Sequence, residues 1–263
     1  MFVFIQKLLP KHLLSRVIGY LAACENRLIK TIFIYLFCFL YDIDTKEAQR
    51  TKKSDYLSFN DFFTRSLKEG TRPIQGPISS PADGIVAELG HISEKTLIQS
   101  KKYKYSAQNL LAEATNEFNE GSFITIYLAP HNYHRVHVPC MAELYQACYV
   151  PGELFSVNIE TAEMLPNLFT RNERLVCKFK TEHGPMAEIL VGAMLVGAIK
   201  PVWQSSPYKP KFELTTELKR RFNPGEEIGQ FQMGSTVILL FSKRLNFIVK
   251  QGDRVRVGQA IIS

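Results

Sequence analysis

The stretch Phe231-Gln232-Met233-Gly234-Ser235-Thr236-Val237-Ile238-Leu239-Leu240-Phe241 sets a Gly-Ser-Thr turn directly before a strongly apolar run. A short apolar run entered through turn residues predicts a strand. Similar runs, separated by glycine and proline, lie at residues 84–89, 123–128, 143–150, 175–179 and 189–199, with another at 254–262. The body of the chain is therefore predicted to be predominantly β, interrupted by a helix at residues 106–114. Near the end, Gly252 and Gly258 mark a tight turn between strands.

Ahead of the strands the periodicity changes. Ile5, Leu8, Leu9, Leu13, Leu14, Val17, Ile18 and Leu21 recur at helical spacing over residues 2–21, where Pro10 is expected to kink or restart the helix. A second run, residues 32–41, carries no charge. Ten residues of helix reach only about 15 Å against a hydrocarbon core of about 30 Å, too short to span. Residues 1–40 carry Lys7, Lys11, Arg16, Arg27 and Lys30 against Glu25, a net charge of 5 − 1 = +4. That combination fits helices lying in an anionic lipid interface. Packing on the body or on a second subunit would also leave the basic residues outside. Residues 42–81 turn polar, with a short helix predicted at residues 58–67, capped by Ser58 and Asp61. The expected division is 1–57, an amphipathic helical membrane-associating region, and 58–263, a β-rich domain. The fold class is α+β: N-terminal docking helices, then antiparallel sheets in a barrel- or sandwich-like body.

A chain of 263 residues with 46% hydrophobic content can bury a substantial core. Its charge of +7 favours anionic partners. The basic residues are dispersed rather than gathered on one aromatic-studded face, so no nucleic-acid partner is expected. Five cysteines without a CxxC pair argue against a disulfide framework or thiolate metal site and fit a reducing compartment. Leu21-Ala22-Ala23-Cys24 imitates a lipoprotein processing box, but Lys7, Pro10, Lys11 and Arg16 interrupt the apolar region it would need.

Three segments combine turns with reactive side chains. In Ser80-Pro81-Ala82-Asp83-Gly84, Asp83 projects just before a strand, a position where aspartate ordinarily caps backbone amides. Tyr127-Leu128-Ala129-Pro130-His131-Asn132-Tyr133-His134-Arg135-Val136-His137-Val138-Pro139 holds three of the six histidines. Its prolines oppose a long regular helix, and in extended chain residues three apart face opposite sides. Metal binding, proton transfer and a structural role all remain open for it. In the third segment, Gly234 leaves its own carbonyl unobstructed, so the Ser235 hydroxyl could attack the preceding peptide bond. A histidine oriented by a carboxylate could take the hydroxyl proton.

Together these segments resemble the phosphatidylserine decarboxylase family of pyruvoyl-dependent enzymes, bacterial type, across nearly the whole chain. The family's Leu-Gly-Ser-Thr cleavage sequence is matched by Gly234, Ser235 and Thr236, with Met233 in place of leucine. Its Pro-Ala-Asp-Gly and Tyr-His-Arg-Val-His-x-Pro motifs stand at residues 81–84 and 133–139. Pro151-Gly152-Glu153-Leu154-Phe155-Ser156-Val157-Asn158 and Pro166-Asn167-Leu168-Phe169-x-Arg171-Asn172-Glu173-Arg174 are also similar to it.

The resemblance implies a self-cleavage triad of Asp83, His137 and Ser235, in which Ser235 attacks the Gly234 carbonyl. The ester formed would eliminate to dehydroalanine and lose ammonia, leaving a pyruvoyl group at position 235. The products would be a β chain of residues 1–234 and an α chain of 263 − 234 = 29 residues. The pyruvoyl carbonyl would form a Schiff base with the serine amine of phosphatidylserine and accept electrons as carbon dioxide leaves, giving phosphatidylethanolamine. His134 would position substrate or transfer a proton, and Ser156 would support substrate or the pyruvoyl group. The implied partners are membrane phosphatidylserine, an anionic lipid surface, and the enzyme's own α and β chains in a homodimer. The implied location is peripheral, on the cytoplasmic face of the cell membrane. No metal is required. The alternative is a metal-dependent hydrolase using His131, His134 and His137 as ligands.

Overall fold

The structure is a computed structural model and describes residues 11–41, 43–193, 198–208, 213–232 and 235–263. Two helices come first, α1 (Lys11–Ala23) and α2 (Arg27–Tyr41). Asn26 caps the second, its side-chain oxygen accepting from the Leu28 and Ile29 N–H groups. Residues 2–10 of the predicted first helix lie outside the described residues. The short helix α3 (Phe59–Phe63) has the expected cap, the Ser58 hydroxyl accepting from Asp61 N–H, but it stops well before residue 67. Phe59, Phe62 and Phe63 of α3 pack with Ala22, Ile34, Phe37 and Tyr56 in one apolar cluster.

The body is antiparallel, as expected. Its main sheet has eight strands: β1 (Gly84–His91), β4 (Ser122–Leu128), β6 (Ala142–Val150), β7 (Arg174–Thr181), β8 (Gly184–Gly192), β10 (Leu214–Phe222), β12 (Ser235–Phe241) and β13 (Arg254–Val255). They are ordered β10-β6-β7-β8-β12-β4-β1-β13, with β10 and β13 as edges. A smaller sheet joins β5 (Arg135–His137), β11 (Glu227–Phe231) and β9 (Ile199–Pro201) in the order β5-β11-β9, and β2 (Thr96–Ser100) pairs with β3 (Tyr103–Ser106).

Both faces of the main sheet are covered, which gives the sandwich-like part of the expectation its physical form. Alternate residues such as Val237, Leu239 and Phe241 of β12 pack with Val136, Ile199, Ile228 and Phe231 of the small sheet. The intervening Ile238 and Leu240 pack with α4 (Ala107–Leu111), α5 (Ile159–Met164), α6 (Leu168–Arg171) and the β2–β3 hairpin.

Several boundaries need correction. The single strand predicted at 189–199 is two strands in different sheets: β8 ends at Gly192 and β9 begins at Ile199. The strand predicted at 254–262 is regular only at Arg254–Val255, because the chain then turns at Gly258, with φ of +83°, and continues as isolated bridges. The helix predicted at 106–114 ends at Leu111, where Ala112 takes up a left-handed conformation. Five strands, β2, β3, β5, β10 and β11, were not anticipated, being short or polar on their exposed rows.

Candidate active site

Antiparallel alternation gathers the signature segments at one end of the main sheet. β1 begins at Gly84, β4 ends at Leu128, β12 begins at Ser235, β8 ends at Gly192, β7 begins at Arg174 and β6 ends at Val150. Ser235 opposes Leu128 on one side and Gly192 on the other, and Arg174 opposes Val150. The turn at 81–84, the histidine segment after Leu128, the loop after Val150, the residues before β7 and Ser235 therefore meet.

Asp83 precedes the first residue of β1, two strands from Ser235, or roughly 10 Å at ordinary strand spacing. Its carboxylate accepts from Arg72 Nε at 3.1 Å, Arg72 Nη2 at 2.7 Å and the Val257 N–H at 2.8 Å. His137 is tied to the same turn, its N–H donating to the Pro81 carbonyl at 2.9 Å. Its Nδ1 lies 2.8 Å from the Gly225 carbonyl oxygen, which can only accept, so Nδ1 carries the proton. The Nε2 lone pair then faces the Tyr133 hydroxyl at 3.1 Å. Burial lowers the His137 pKa, opposed by the Gly225 hydrogen bond and the charges of Glu227 and Asp83.

Ser235 is fully buried, and its hydroxyl has no hydrogen-bond partner among the described residues. Asp83 and His137 thus share one turn, but no side-chain hydrogen bond links either of them to the other or to Ser235. Gly234 and Met233 of the expected cleavage sequence lie outside the described residues.

His134 is fully buried, with its ring 4.2 Å from that of Phe63. Nδ1–H donates to the Asn132 carbonyl at 2.8 Å, leaving Nε2 as a buried lone pair without a partner. Burial pushes its pKa down to about 3, with the Arg65 and His131 charges adding to the effect and the Asn132 bond opposing it. Ser156 is half-buried in the loop after β6, its hydroxyl 3.4 Å from the Asn158 N–H. The Asn172 amide binds that loop to the site, donating to the Phe155 carbonyl at 2.8 Å and to the Gly192 carbonyl at 2.9 Å.

In the sequence, Asn172 and its neighbour Glu173 stand out only as part of a family-like stretch. Glu173 is buried and accepts from the Tyr149 hydroxyl at 2.9 Å. Burial lifts its pKa to about 7, opposed by that hydrogen bond. The available signal was a polar run, Arg171-Asn172-Glu173-Arg174, placed where a strand enters the core. As for metal ligation, no group of three or more His, Cys, Asp or Glu side chains among the described residues could hold an ion. His131, His134 and His137 form no such group, so the hydrolase alternative is not favoured.

Residues 59–263 match the family model described as phosphatidylserine decarboxylase, and residues 1–42 match a second model described as PSD. The chain belongs to the phosphatidylserine decarboxylase family. It is 46% identical to the phosphatidylserine decarboxylase proenzyme of Alcanivorax borkumensis, over 98% of this chain and 94% of the relative. It is 44% identical to that of Pseudomonas aeruginosa strain LESB58, over 99% and 96%, and 46% identical to that of Vibrio campbellii, over 92% and 90%. The phosphatidylserine decarboxylase match takes in every candidate residue from Asp83 to Ser235.

Proposed function

We propose that this chain is the proenzyme of a phosphatidylserine decarboxylase, which cuts itself between Gly234 and Ser235 and then converts phosphatidylserine to phosphatidylethanolamine and carbon dioxide. The observation that carries this reading is Ser235, buried with an unpartnered hydroxyl at the sheet end where every family segment converges, in a chain whose relatives are named proenzymes.

In self-cleavage, Ser235 Oγ bonds to the Gly234 carbonyl carbon as the peptide C–N bond breaks, giving an ester and a free amine. His137 supplies a neutral ring with its lone pair on Nε2, the nitrogen a serine proton would join. Reaching Ser235 requires His137 to exchange its Tyr133 contact for the serine hydroxyl, while the Gly225 carbonyl or Asp83 holds the other ring nitrogen.

Residue 235 suits conversion to a pyruvoyl group, since its side chain is enclosed and makes no hydrogen bond that the conversion would break. Such a group supplies a carbonyl that condenses with an amine and draws off the electron pair released with carbon dioxide. Around it, His134 Nε2 offers a site for holding and returning a proton. Burial keeps that ring neutral, so any proton it receives is passed on readily. Ser156 is placed by Asn172 to orient substrate.

Substrate arrives from a bilayer, and the helical region 1–57 serves as the dock, ahead of the catalytic domain 58–263. Leu28, Ile32 and Phe39 of α2 are 74%, 62% and 86% exposed, an apolar face flanked by Arg27 and Lys30. No described helix is long and apolar enough to cross a membrane. The docked helices adjoin the site, because Phe63 of α3 lies against His134 and the Arg135 guanidinium donates to the Thr64 carbonyl at 2.8 Å. Peripheral attachment at the cytoplasmic face of the cell membrane, as a homodimer of α and β chains, completes the proposal.

Intact mass spectrometry of the wild type and Ser235→Ala tests it. Wild type should give chains of 234 and 29 residues, the shorter with a ketone-bearing terminus, and Ser235→Ala a single chain. His137→Ala and Asp83→Ala should stay largely uncut, whereas His134→Ala should cut but decarboxylate poorly. An active wild-type preparation made of one unbroken chain ends the proposal.

A further inference from the structure

The sheet end that holds Ser235 also holds a buried carboxyl for which the steps above have no use. Glu173 sits immediately before β7, and the Gly192 N–H donates to its carbonyl at 2.9 Å. Gly192 is the direct cross-strand partner of Ser235. Residues opposed in this way project from the same face of a sheet, with their Cβ positions about 4.5–5.5 Å apart. Gly192 has no side chain, and Glu173 fills the space one would take. A Cβ built on Gly192 would lie 2.9 Å from both Cγ and Oε1 of Glu173. The carboxyl therefore occupies the slot beside the Ser235 side chain.

The polar atoms in that slot are incomplete. Glu173 Oε2 accepts from Tyr149, while among the described residues Oε1 has no partner, and neither has Ser235 Oγ. Glu173 is 7% exposed and Ser235 0%. A buried, unsatisfied carboxyl oxygen is destabilising and calls for a compensating role. Among the described residues no cation neutralises it. The next residue, Arg174, turns to the opposite face, where its guanidinium donates to the carbonyls of Asn109, Leu110 and Thr170. The groups around Glu173 are the Tyr149 hydroxyl from β6, Tyr208 stacked on Tyr149, the neutral Asn172 amide, and Glu153, whose carbonyl takes the Glu173 N–H.

Self-cleavage needs a second proton transfer after the ester has formed. The α-proton of residue 235 must leave as the Cβ–Oγ bond breaks. We propose that Glu173 is the base that takes this proton. The C–H electron pair becomes the Cα=Cβ double bond, the Cβ–Oγ pair departs with the carboxylate of residue 234, and the proton stays on Glu173. Water then hydrolyses the enamine-derived imine and releases ammonia. Burial already holds the Glu173 carboxyl near neutrality, where a general base works best. The inference rests on the self-cleavage reading above.

Glu173→Gln keeps the shape and the hydrogen-bond acceptor but removes the base. Its chain should remain at full mass, cut at least about 10²-fold more slowly than wild type. It should still form the ester, so hydroxylamine should split it into fragments of 234 and 29 residues, the latter beginning with an intact Ser235. Tyr149→Phe keeps the base and removes the donor that lowers its pKa, so the pH midpoint of its cutting rate should move upward. Thermal melts of both variants establish that they are folded. The inference is overturned if Glu173→Gln matures at the wild-type rate, if it is uncut and resists hydroxylamine, or if the Tyr149→Phe midpoint stays in place. Failure of the underlying reading looks different: wild type itself would then stay whole, or Ser235→Ala would be cut.

Discussion

Strand β12 and helix α2 are both built almost wholly from apolar residues, and they end in opposite environments. Residues 237–241 of β12 are buried, one row beneath the small sheet and the other beneath α4 to α6. Helix α2 buries only Ile34 and Phe37 and leaves Leu28, Ile32, Leu36, Phe39 and Leu40 in solvent. Apolar area contributes about 25 cal/mol per Å² only when it leaves water. β12 therefore stabilises the fold, and the outer face of α2 contributes nothing until something covers it. Equal hydrophobicity separates into residues that fold the chain and residues free to dock it.

The sharpest way to break this contrast is Phe241→Ala. Phe241 packs in the core beneath the small sheet, and such truncations destabilise by about 3–5 kcal/mol. Urea unfolding of the uncut Ser235→Ala chain, with and without the change, measures it. A loss under about 1 kcal/mol would mean that the β body is not the stabilising region. A somewhat smaller effect comes from Glu173 at the entrance to the same core. Its folded pKa is raised to about 7 from 4.5, so the folded chain holds the proton more tightly than the unfolded one. Its contribution is complete below pH 4.5 and is lost as pH rises through 7, a change of about 3 kcal/mol. Glu173→Gln should remove this slope and be the more stable chain at pH 8. Parallel stability-versus-pH curves for the two chains would contradict the assignment.

The sequence made the strand body legible because apolar runs with turn residues between them survive as strands wherever both faces are covered. It misled at residues 189–199, where apolar character continues through Gly192 while the chain passes from one sheet to the other. It was silent on β10, whose residues are mostly exposed and mostly polar or charged, a pattern that reads as loop. Ser235, Asp83 and His137 were legible as candidates, residue types at motif spacing. Their hydrogen bonds were not, since Arg72, Val257, Gly225 and Tyr133 reach them from distant parts of the chain. Glu173 escaped because the polar run 171–174 does not single it out from its neighbours. Its meaning depends on Gly192 and Ser235 lying across two strand pairings.

The smallest expected change in stability is also the one that decides what α2 is for. Leu36→Ser with Phe39→Ser alters two side chains that are 56% and 86% exposed, so the loss of stability should stay under about 1 kcal/mol. Phe37→Ala, on the inner face against Phe59 and Phe63, should destabilise by several times that amount. Binding should show the reverse order. Each Leu or Phe side chain entering lipid is worth about 1.5–3 kcal/mol, so removing both outer residues should weaken binding to phosphatidylserine-containing vesicles at least about 10²-fold. Co-sedimentation with vesicles of phosphatidylserine and phosphatidylcholine, at two salt concentrations, reads this directly. If the double variant binds as wild type does, or loses as much stability as Phe37→Ala, the outer face of α2 is not the lipid dock.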